Sequence, residues 1–314
     1  MAGSAAIIGA GMAGLSCAER LTDAGWRVTL FDKGRRPGGR MASKRVTAMG
    51  PSFAFDYGAQ YLTARDPDFV AQMACWAQAG IVARWPAAGD DAWVGVPGMS
   101  AIPGHMAEPL QPRWSTHIRG LVRQEGAWWL DHDGGREGPF DHVVLAIPAE
   151  QLPALVADHD PALAELAGAH GSEPCWTVLL GFDTAIAAPD LLSSAGPIDS
   201  GPIDWAARNN AKPGRDSAEA WTIHATPAWS RRHLESDTAS VIASLLRALE
   251  ERVGTLPAPV HATAHRWRYA RSGKAGIGAY FRPESGLAAC GDWMIAPRVE
   301  SAWLSGRQAA RAIL

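Results

Sequence analysis

A glycine-rich turn near the beginning of the chain is the first stretch whose residue types could bind a ligand. The letters GAGMAG at positions 9–14 follow an apolar run, 4–8, and precede a helical pattern that ends near Gly25. A second apolar run, 26–31, is closed by Asp32. This order of strand, turn, helix, strand and acid is the one that a dinucleotide-binding fingerprint requires.

Each part of this fingerprint has a physical role. Gly9 permits the tight turn, Gly11 lets a pyrophosphate approach the backbone, and Gly14 lets the helix pack closely on the strand. The N-terminus of the helix offers unpaired N–H groups and the positive end of its dipole to the phosphates. Asp32 is placed to accept hydrogen bonds from a ribose hydroxyl. A glycine turn without a ligand is the alternative, which the strand, helix and acid together disfavour. The fingerprint alone does not separate NAD from FAD.

A second motif continues directly from the acid. Residues 33–41 contain Gly38-Gly39-Arg40, which resembles the second fingerprint of the FAD-dependent amine oxidase superfamily, where Gly-Gly-Arg follows an acid. The resemblance implies that Arg40 neutralises pyrophosphate charge, whereas a basic surface loop is the alternative. The segment 56–61 resembles the part of that superfamily that passes near the flavin ring.

A third motif lies near the other end of the chain. Residues 286–292 form a short apolar run that ends in Gly291-Asp292, and a helical pattern begins at Val299, after Pro297. In two-dinucleotide-binding-domain flavoproteins, such a Gly-Asp lies beside the phosphate and the ribityl chain. The next helix points its N-terminus at the flavin pyrimidine edge, where its dipole favours the anionic reduced flavin. An ordinary turn acid is the alternative for Asp292.

We therefore predict that both ends of the chain bind one FAD, and the resemblance implies that this FAD is bound noncovalently. The residues predicted to bind this cofactor are Gly9, Gly11, Met12, Ala13, Gly14, Asp32, Lys33, Gly39, Arg40, Met41, Gly58, Ala59, Gln60, Tyr61, Gly291, Asp292, Val299, Ser301 and Ala302.

The predicted fold class is α/β, with two domains. A discontinuous Rossmann-like FAD-binding domain covers 1–62, 99–150 and 283–314, and a substrate domain covers 63–98 and 151–282. The substrate domain is expected to be α+β, on a mixed or antiparallel sheet. Its apolar runs predict strands over 176–182 and 220–225, and its spacing predicts a helix over 238–253. The polar, breaker-rich stretch 204–215 is expected to be a loop.

Taken together, the motifs resemble the renalase family, most nearly its bacterial members, within the FAD-dependent amine oxidase superfamily. The matching stretches are 9–14, 32–41, 56–65, 205–215, 225–230, 265–270, 290–293 and 299–306. The resemblance implies an oxidase that transfers hydride from 2- or 6-dihydro isomers of NAD(P)H to flavin N5, while O2 is reduced to H2O2. Two other functions stay open: an amine oxidase or another flavin enzyme (desaturase or monooxygenase), and a non-catalytic FAD-binding redox sensor.

Hydride transfer requires no acid or base from the protein, because the flavin carries the chemistry, so no catalytic side chain is assigned. A flat dihydropyridine requires flat walls, and its carboxamide requires hydrogen-bond partners. The predicted substrate pocket is Trp205, Asn209, His224, Trp267, Tyr269 and Trp293. For His224 and His265, a satisfied structural histidine is the commoner case. Arg208 and Arg215 could attract phosphates, although exposed, solvated charges are the commoner case.

Composition excludes several other classes of protein. Of 314 residues, 47% are hydrophobic and 19% charged, so a large core is expected rather than disorder. The net charge of −3 argues against a general nucleic-acid-binding protein. The four scattered cysteines argue against a disulfide framework, a zinc site and a dithiol centre. The apolar start has no basic residue before Arg20, and no apolar run is long enough to span a membrane. A cytoplasmic protein without a metal is expected; the oligomeric state stays open.

Overall fold

The computed structural model describes residues 3–193, 201–215 and 217–314. Its helices are α1 Met12–Asp23, α2 Pro67–Gln78, α3 Ala101–Leu110, α4 Pro153–Val156, α5 Pro161–Gly168, α6 Pro227–Arg232, α7 Thr238–Val253 and α8 Val299–Ile313. Its strands are β1 Ser4–Ile8, β2 Arg27–Phe31, β3 Ser43–Thr47, β4 Ser52–Asp56, β5 Leu62–Thr63, β6 Val82–Arg84, β7 Ala92–Gly95, β8 Ile118–Gln124, β9 Ala127–His132, β10 Gly135–Phe140, β11 His142–Leu145, β12 Glu173–Phe182, β13 Leu191–Ser193, β14 Ile203–Arg208, β15 Glu219–Ala225, β16 His261–Arg271, β17 Tyr280–Arg282 and β18 Leu287–Ala289.

A mainly parallel sheet joins the two ends of the sequence. Its strand order is β17-β18-β11-β1-β2, with β17 antiparallel at one edge. All of β1 is buried, as expected for a parallel strand that is covered on both faces. Ile8 pairs with Phe31 on one side and with Leu145 on the other. Since Leu145 also pairs with Ala289, the turn after β1 and the turn after β18 open at the same edge of the sheet.

Helices α1 and α8 pack directly against each other beside this sheet. A Cβ atom on Gly306 of α8 would lie 2.1 Å from the carbonyl oxygen of Ala13 in α1. The Ser16 hydroxyl donates a hydrogen bond to the Trp303 carbonyl at 2.8 Å across the same contact. The glycine therefore sets how near the terminal helix comes to the first one.

An antiparallel sheet in the order β13-β14-β15-β12-β16 forms the second main layer. One of its faces packs on α7, where Val178, Leu180 and Leu245 are fully buried. Paired residues of antiparallel strands lie on the same face. The register therefore places a row of four side chains on one face: Trp205, His224, Thr177 and His265.

Smaller antiparallel units complete the fold. The β3–β4 hairpin packs on the second sheet, where Phe53 and Phe55 share a buried cluster with Leu179. The sheet β10-β9-β8 packs beside the parallel sheet through Leu130 and Phe140. The three-stranded sheet β5-β7-β6 lies next to α2.

Residues 63–98 pack with the parallel sheet and its helices. Phe69 and Trp76 of α2 lie in one buried cluster with Leu15 of α1 and Trp303 of α8. Strand β17 likewise belongs to the first sheet. The predicted domain boundaries stay a prediction, but the packing groups both segments with the cofactor half rather than with the substrate half.

The expected loop over 204–215 is wrong in its first half, because Asp204–Arg208 belongs to β14. This strand pairs with β13 on one side and β15 on the other, so its backbone groups are satisfied in a sheet. Its polar residues favoured a loop, but in the strand Asp204 pairs with Arg271, and Arg208 pairs with Asp190 and Glu219. The predicted helix over 238–253 is α7, and the predicted strands over 176–182 and 220–225 lie within β12 and β15.

In the described part of the chain, no helix combines the length and the apolar character that crossing a membrane would require.

Candidate cofactor and substrate site

A cavity of about 1440 Å³ lies between the carboxyl edge of the parallel sheet and the second sheet. Its lining includes the glycine turn, Asp32 and Lys33. It also includes the Gly58–Tyr61 segment and three residues of the row on the second sheet, Trp205, His224 and His265. The cavity therefore joins a glycine turn that suits phosphates to a set of aromatic side chains.

The glycine turn has the three properties that its motif predicts. Gly9 has a φ of +105°, and a Cβ there would lie 2.4 Å from the Ala146 carbonyl oxygen. A Cβ on Gly14 would lie 1.9 Å from the Gly9 carbonyl oxygen. A Cβ on Gly11, by contrast, would meet nothing within 4 Å, because this glycine borders the cavity. The open side of Gly11 at the N-terminus of α1 suits a pyrophosphate.

Asp32 is held in place by the turns on either side of it. Its carboxylate accepts hydrogen bonds from the backbone N–H of Ala10 at 2.7 Å and of Gly34 at 2.6 Å. The side chain also lines the cavity, where it can accept from a hydroxyl. Lys33, next to it, donates to the side chain of Gln151 at 2.8 Å.

Arg40 and Asp292 meet in the middle of the cavity. Their side chains form a two-point ion pair, with nitrogen–oxygen distances of 2.8 and 2.6 Å. Both residues line the cavity, as do Gly39 and Gly291 beside them. Motifs from the two ends of the sequence therefore meet here, as the sequence predicted.

Asp56 is the centre of a buried charge cluster directly behind the Gly58–Tyr61 segment. Its carboxylate accepts from Lys212 Nζ at 3.1 Å and from Arg215 Nη2 at 2.6 Å. It also accepts from the Ser43 hydroxyl at 2.6 Å and the Met99 backbone N–H at 2.8 Å. Burial opposes ionisation, but the two cations and these hydrogen bonds outweigh it and lower the pKa of Asp56 to about 2.

The expectation that Arg208 and Arg215 are exposed, solvated charges is wrong. The Arg215 side chain is only 1% exposed and pairs with Asp56, and Arg208, 17% exposed, pairs with Glu219 and Asp190. Neither residue lines the cavity. Asp56 lies 159 positions from Arg215, and Glu219 and Asp190 lie 11 and 18 positions from Arg208, so the stretch 204–215 alone could not reveal the pairing.

Gln60 connects this cluster to the cavity. Its Oε1 atom accepts from Lys212 Nζ at 3.0 Å, and its Nε2 atom donates to the Asp56 carbonyl at 2.6 Å. The same Nε2 atom lies 3.4 Å from Nε2 of His224. Burial, followed by the nearby charges of Lys212 and Arg271, lowers the pKa of His224 to about 4. His224 is therefore neutral at physiological pH.

Aromatic rings form the wall of the cavity on the second sheet. Trp205, His224, Trp267 and Tyr269 of the predicted substrate pocket all line it. Trp205 stacks on Tyr61 with ring centroids 5.3 Å apart. Trp267 donates its indole N–H to the Tyr57 carbonyl at 2.9 Å, which fixes the plane of its ring.

Two predicted pocket residues do not reach the cavity. Asn209 is fully buried: its Oδ1 atom accepts from the Asp56 backbone N–H at 3.0 Å, and its Nδ2 atom donates to the Thr222 hydroxyl at 2.8 Å. Trp293 is 1% exposed and packs in the core of the parallel sheet. The prediction that these two residues line the substrate pocket is therefore wrong, because their side chains point away from the cavity into packed interiors.

Most of the predicted cofactor residues line the cavity. These are Gly9, Gly11, Met12, Ala13, Asp32, Lys33, Gly39, Arg40, Met41, Gly58, Ala59, Gln60, Tyr61, Gly291, Asp292, Val299 and Ala302. Gly14 and Ser301 do not, because Gly14 is covered by the Gly9 carbonyl and Ser301 is buried in the first turn of α8. Contact with a bound cofactor stays a prediction for all of them.

Several residues that were not predicted for the substrate pocket also border the cavity: Cys175, Asp204, His265, Arg266, Arg268 and Arg271. Strand β16 lies at the edge of its sheet, and consecutive residues of this strand border the cavity. The guanidinium groups of Arg266 and Arg268 nevertheless pair with Glu235, and that of Arg266 also lies over the ring of Trp176 on the opposite face of the sheet. The strand register shifts between Ile203 and Trp205, and this shift brings the neighbours Asp204 and Trp205 to the same cavity.

Two family models match the sequence in adjacent stretches. An NAD(P)-binding Rossmann-like domain matches residues 7–74, and a flavin-containing amine oxidoreductase matches residues 82–314. The second match covers most of the chain.

Solved structures with the same fold include several oxidases. A protein from Exiguobacterium sp. 255-15, provisionally named a protoporphyrinogen oxidase, matches with a TM-score of 0.78 at 14% identity, over 100% of this chain and 99% of that one. A putrescine oxidase matches with a TM-score of 0.77 at 16% identity, over 99% and 98%. Cyclohexylamine oxidase from Brevibacterium oxydans IH-35A matches with a TM-score of 0.70 at 12% identity, over 100% and 99%. At these identities the likeness concerns the fold.

Curated relatives match over short stretches. The bifunctional tRNA 5-methylaminomethyl-2-thiouridine biosynthesis protein MnmC of Ralstonia nicotianae is 46% identical over 52 residues, which is 17% of this chain. The protein FLOWERING LOCUS D of Arabidopsis thaliana is 40% identical over 60 residues, or 19% of this chain. Each match spans 8% of the relative's own length.

The Asp56 cluster gives a prediction about stability. Asp56→Asn leaves Lys212 and Arg215 buried without a counter-charge, so we expect the free energy of unfolding at pH 7 to fall by about 3–5 kcal/mol. The pKa of Asp56 is lower in the folded protein than its ordinary 3.8, so its ionised form stabilises the fold above that pH. The difference in the free energy of unfolding between wild type and variant should therefore become smaller as the pH falls from 3.8 towards 2. Urea unfolding of the loaded protein at pH 7 and at decreasing pH measures both effects.

The matched control is Asp131→Asn, which breaks the exposed ion pair with Arg136 and should change little. An Asp56→Asn variant that is as stable as this control would contradict the role given to the cluster.

Proposed function

The chain belongs to the family of flavin-containing amine oxidoreductases, and from this premise we propose that it is an FAD-dependent oxidase of the renalase type. Its substrates are 2- and 6-dihydro isomers of NAD(P)H. Each substrate loses a hydride and becomes NAD(P)⁺, and O2 takes up the two electrons and the proton of that hydride together with one proton from solvent to leave as H2O2.

FAD is the cofactor of this family, and the described cavity fits it. Gly11 leaves room for a pyrophosphate at the N-terminus of α1, and Asp32 can accept from a ribose hydroxyl. Arg40 can turn from Asp292 towards the phosphates, which leaves that carboxylate to accept from the ribityl chain. When bound, the flavin supplies the hydride acceptor and the reaction with oxygen. The residues of this chain bind and orient the cofactor and enclose the substrate.

The shape of the aromatic wall is the observation that carries the proposal. On this wall, Trp205 and Trp267 present flat rings, each fixed by a stacking contact. Arg271 also borders the cavity, where it pairs with Asp204. The dihydropyridine ring of a dihydronicotinamide dinucleotide is flat and is therefore complementary to such a wall.

A cationic amine suits this wall less well. Among the described residues of the second sheet that line the cavity, Asp204 is the one carboxylate, and it pairs with Arg271. His224 carries no charge at neutral pH and offers no attraction to a cation. Among the described residues, the wall therefore offers a cationic amine no carboxylate that is not already paired with an arginine.

His224 contributes shape rather than proton transfer. Its Nε2 atom faces the Gln60 amide, and its ring also has a hydrogen bond with the backbone of Tyr57. Because its pKa is lowered to about 4, His224 is only a weak base near neutral pH and is poorly suited to take a proton from a substrate. This agrees with a reaction that requires no proton from the protein.

The substrate class can be tested by mixing the loaded protein, without oxygen, with each candidate reductant. We expect 2- and 6-dihydro isomers of NAD(P)H to bleach the flavin absorbance within a turnover, and a panel of primary, secondary and polyamines to leave it unchanged. On readmission of air, one H2O2 should form for each NAD(P)⁺. Bleaching by amines alone would overturn the proposal in favour of an amine oxidase, and bleaching by neither class would exclude the renalase type.

The aromatic wall can be tested by removing one ring at a time. Trp205→Leu and Trp267→Leu each remove a flat surface, so we expect the second-order rate constant for flavin reduction by the dihydronicotinamide isomer to fall about tenfold, which corresponds to about 1.4 kcal/mol. Stopped-flow reduction of variants with full FAD content measures this. Trp129→Leu, a half-buried position on β9 outside the cavity lining, is the matched control. Wall variants that are reduced as fast as the Trp129 variant would show that these rings do not hold the substrate.

A further inference from the structure

A buried lysine behind the cavity has no role in the function proposed above. The Lys212 side chain is 0% exposed, and the side chains of Asp56 and Arg215 beside it are each 1% exposed. The three side chains hold two cations and one carboxylate, which leaves one positive charge uncompensated. Burying such a charge is costly, and an apolar side chain of similar length would avoid the cost.

The geometry around Lys212 suits the charged form of its side chain. Its Nζ atom donates to Asp56 Oδ2 at 3.1 Å, Gln60 Oε1 at 3.0 Å and Asn209 Oδ1 at 3.3 Å, which uses all three protons of an ammonium group. Two of these acceptors are neutral amides, and Asp56 is shared with Arg215. The ammonium group of Lys212 therefore has a full set of hydrogen-bond acceptors, but no carboxylate of its own to neutralise its charge.

This charge lies one side chain away from the cavity. Gln60, which accepts from Lys212, lines the cavity together with Gly58, Ala59 and Tyr61. The neighbouring charges that line the cavity are cancelled in pairs, Arg40 with Asp292 and Arg271 with Asp204. Arg266 and Arg268 share Glu235, but that group is exposed to water, where charges are screened. The cluster at Asp56 is dry, so its field reaches the cavity with little screening.

We propose that Lys212 is a positioning residue whose buried charge, together with that of Arg215, stabilises the reduced form of FAD from behind the Gly58–Tyr61 segment. Reduction adds two electrons to the flavin ring, and when one proton follows them the ring gains one negative charge. A fixed positive charge nearby favours that state over the neutral oxidised ring. The proposal rests on FAD binding and not on the identity of the substrate.

The reduction potential of the bound flavin is the direct readout. It is measured by slow reduction with dithionite in the presence of a reference dye, so no substrate is required. Lys212→Met leaves Asp56 and Arg215 as a neutral pair, and we expect the affinity for reduced relative to oxidised FAD to fall at least tenfold, equivalent to a potential lower by about 30 mV for a two-electron couple. Lys212→Arg, which keeps the charge, should retain most of the wild-type potential.

Further variants separate charge from shape. Arg215→Met also removes one positive charge but keeps the contact between Lys212 and Gln60, so it should lower the potential as well. If Lys212→Met does not fold or does not hold FAD, Lys212→Gln can keep hydrogen bonds to Asp56 and Gln60 without the charge and should give the same decrease. Lys274→Met, the same change at an exposed lysine outside this cavity, should leave the potential unchanged.

An unchanged potential in a Lys212→Met or Lys212→Gln variant that binds FAD would overturn the proposal. The proposal would also be overturned if Lys212→Met lowered the reduction potential and Arg215→Met did not. The effect would then come from the loss of the hydrogen bond to Gln60 and not from the loss of charge. Failure of the dihydronicotinamide assay would leave this result unaffected, since the electrons come from dithionite.

Discussion

The buried carboxylate of Asp56 is the interaction on which the arrangement of the cavity depends. It receives hydrogen bonds from three separate parts of the chain: the β3 strand, the segment before α3, and the segment that holds Lys212 and Arg215. A buried carboxylate without these partners would be protonated or would destabilise the fold. Because the partners come from both halves of the molecule, the ionised carboxylate fixes the Gly58–Tyr61 segment against the second sheet.

A second constraint brings the two ends of the sequence to the same ligand. The parallel pairing of β1, β11 and β18 makes the turns after β1 and β18 open at one edge, and Gly306 lets α8 approach α1. Arg40 and Asp292 can therefore meet although 252 positions separate them. Cofactors of this kind bind at the carboxyl edge of parallel strands because helix N-termini and strand ends converge there.

Much of the cofactor half could be predicted from the sequence, because its signals are local. The glycine turn works through three neighbouring residues, and each of Gly9, Gly11 and Gly14 has the backbone environment that its position in the motif implies. The family match likewise agrees with the predicted flavin chemistry. The renalase assignment is finer than that match and remains the proposal of this work.

The substrate half was harder to predict, because its pattern depends on long-range pairing. Residue type alone favoured Asn209 and Trp293 for the pocket, but both lie in short 3-10 turns whose long-range packing turns their side chains into the interior. Arg215 has the composition of a surface charge, and its partner Asp56 lies 159 positions away in the sequence. The edge position of β16, which lets consecutive residues border the cavity, is likewise a property of the whole sheet.

The proposed function depends most on one cavity that holds FAD between the glycine turn and the aromatic wall. A crystal structure of the FAD-loaded protein tests this directly. The account predicts electron density for the pyrophosphate at Gly11 and for the flavin ring between the Gly58–Tyr61 segment and the side chains of His224 and Trp267. Density that places the ring outside this space, or phosphates away from the N-terminus of α1, would contradict it.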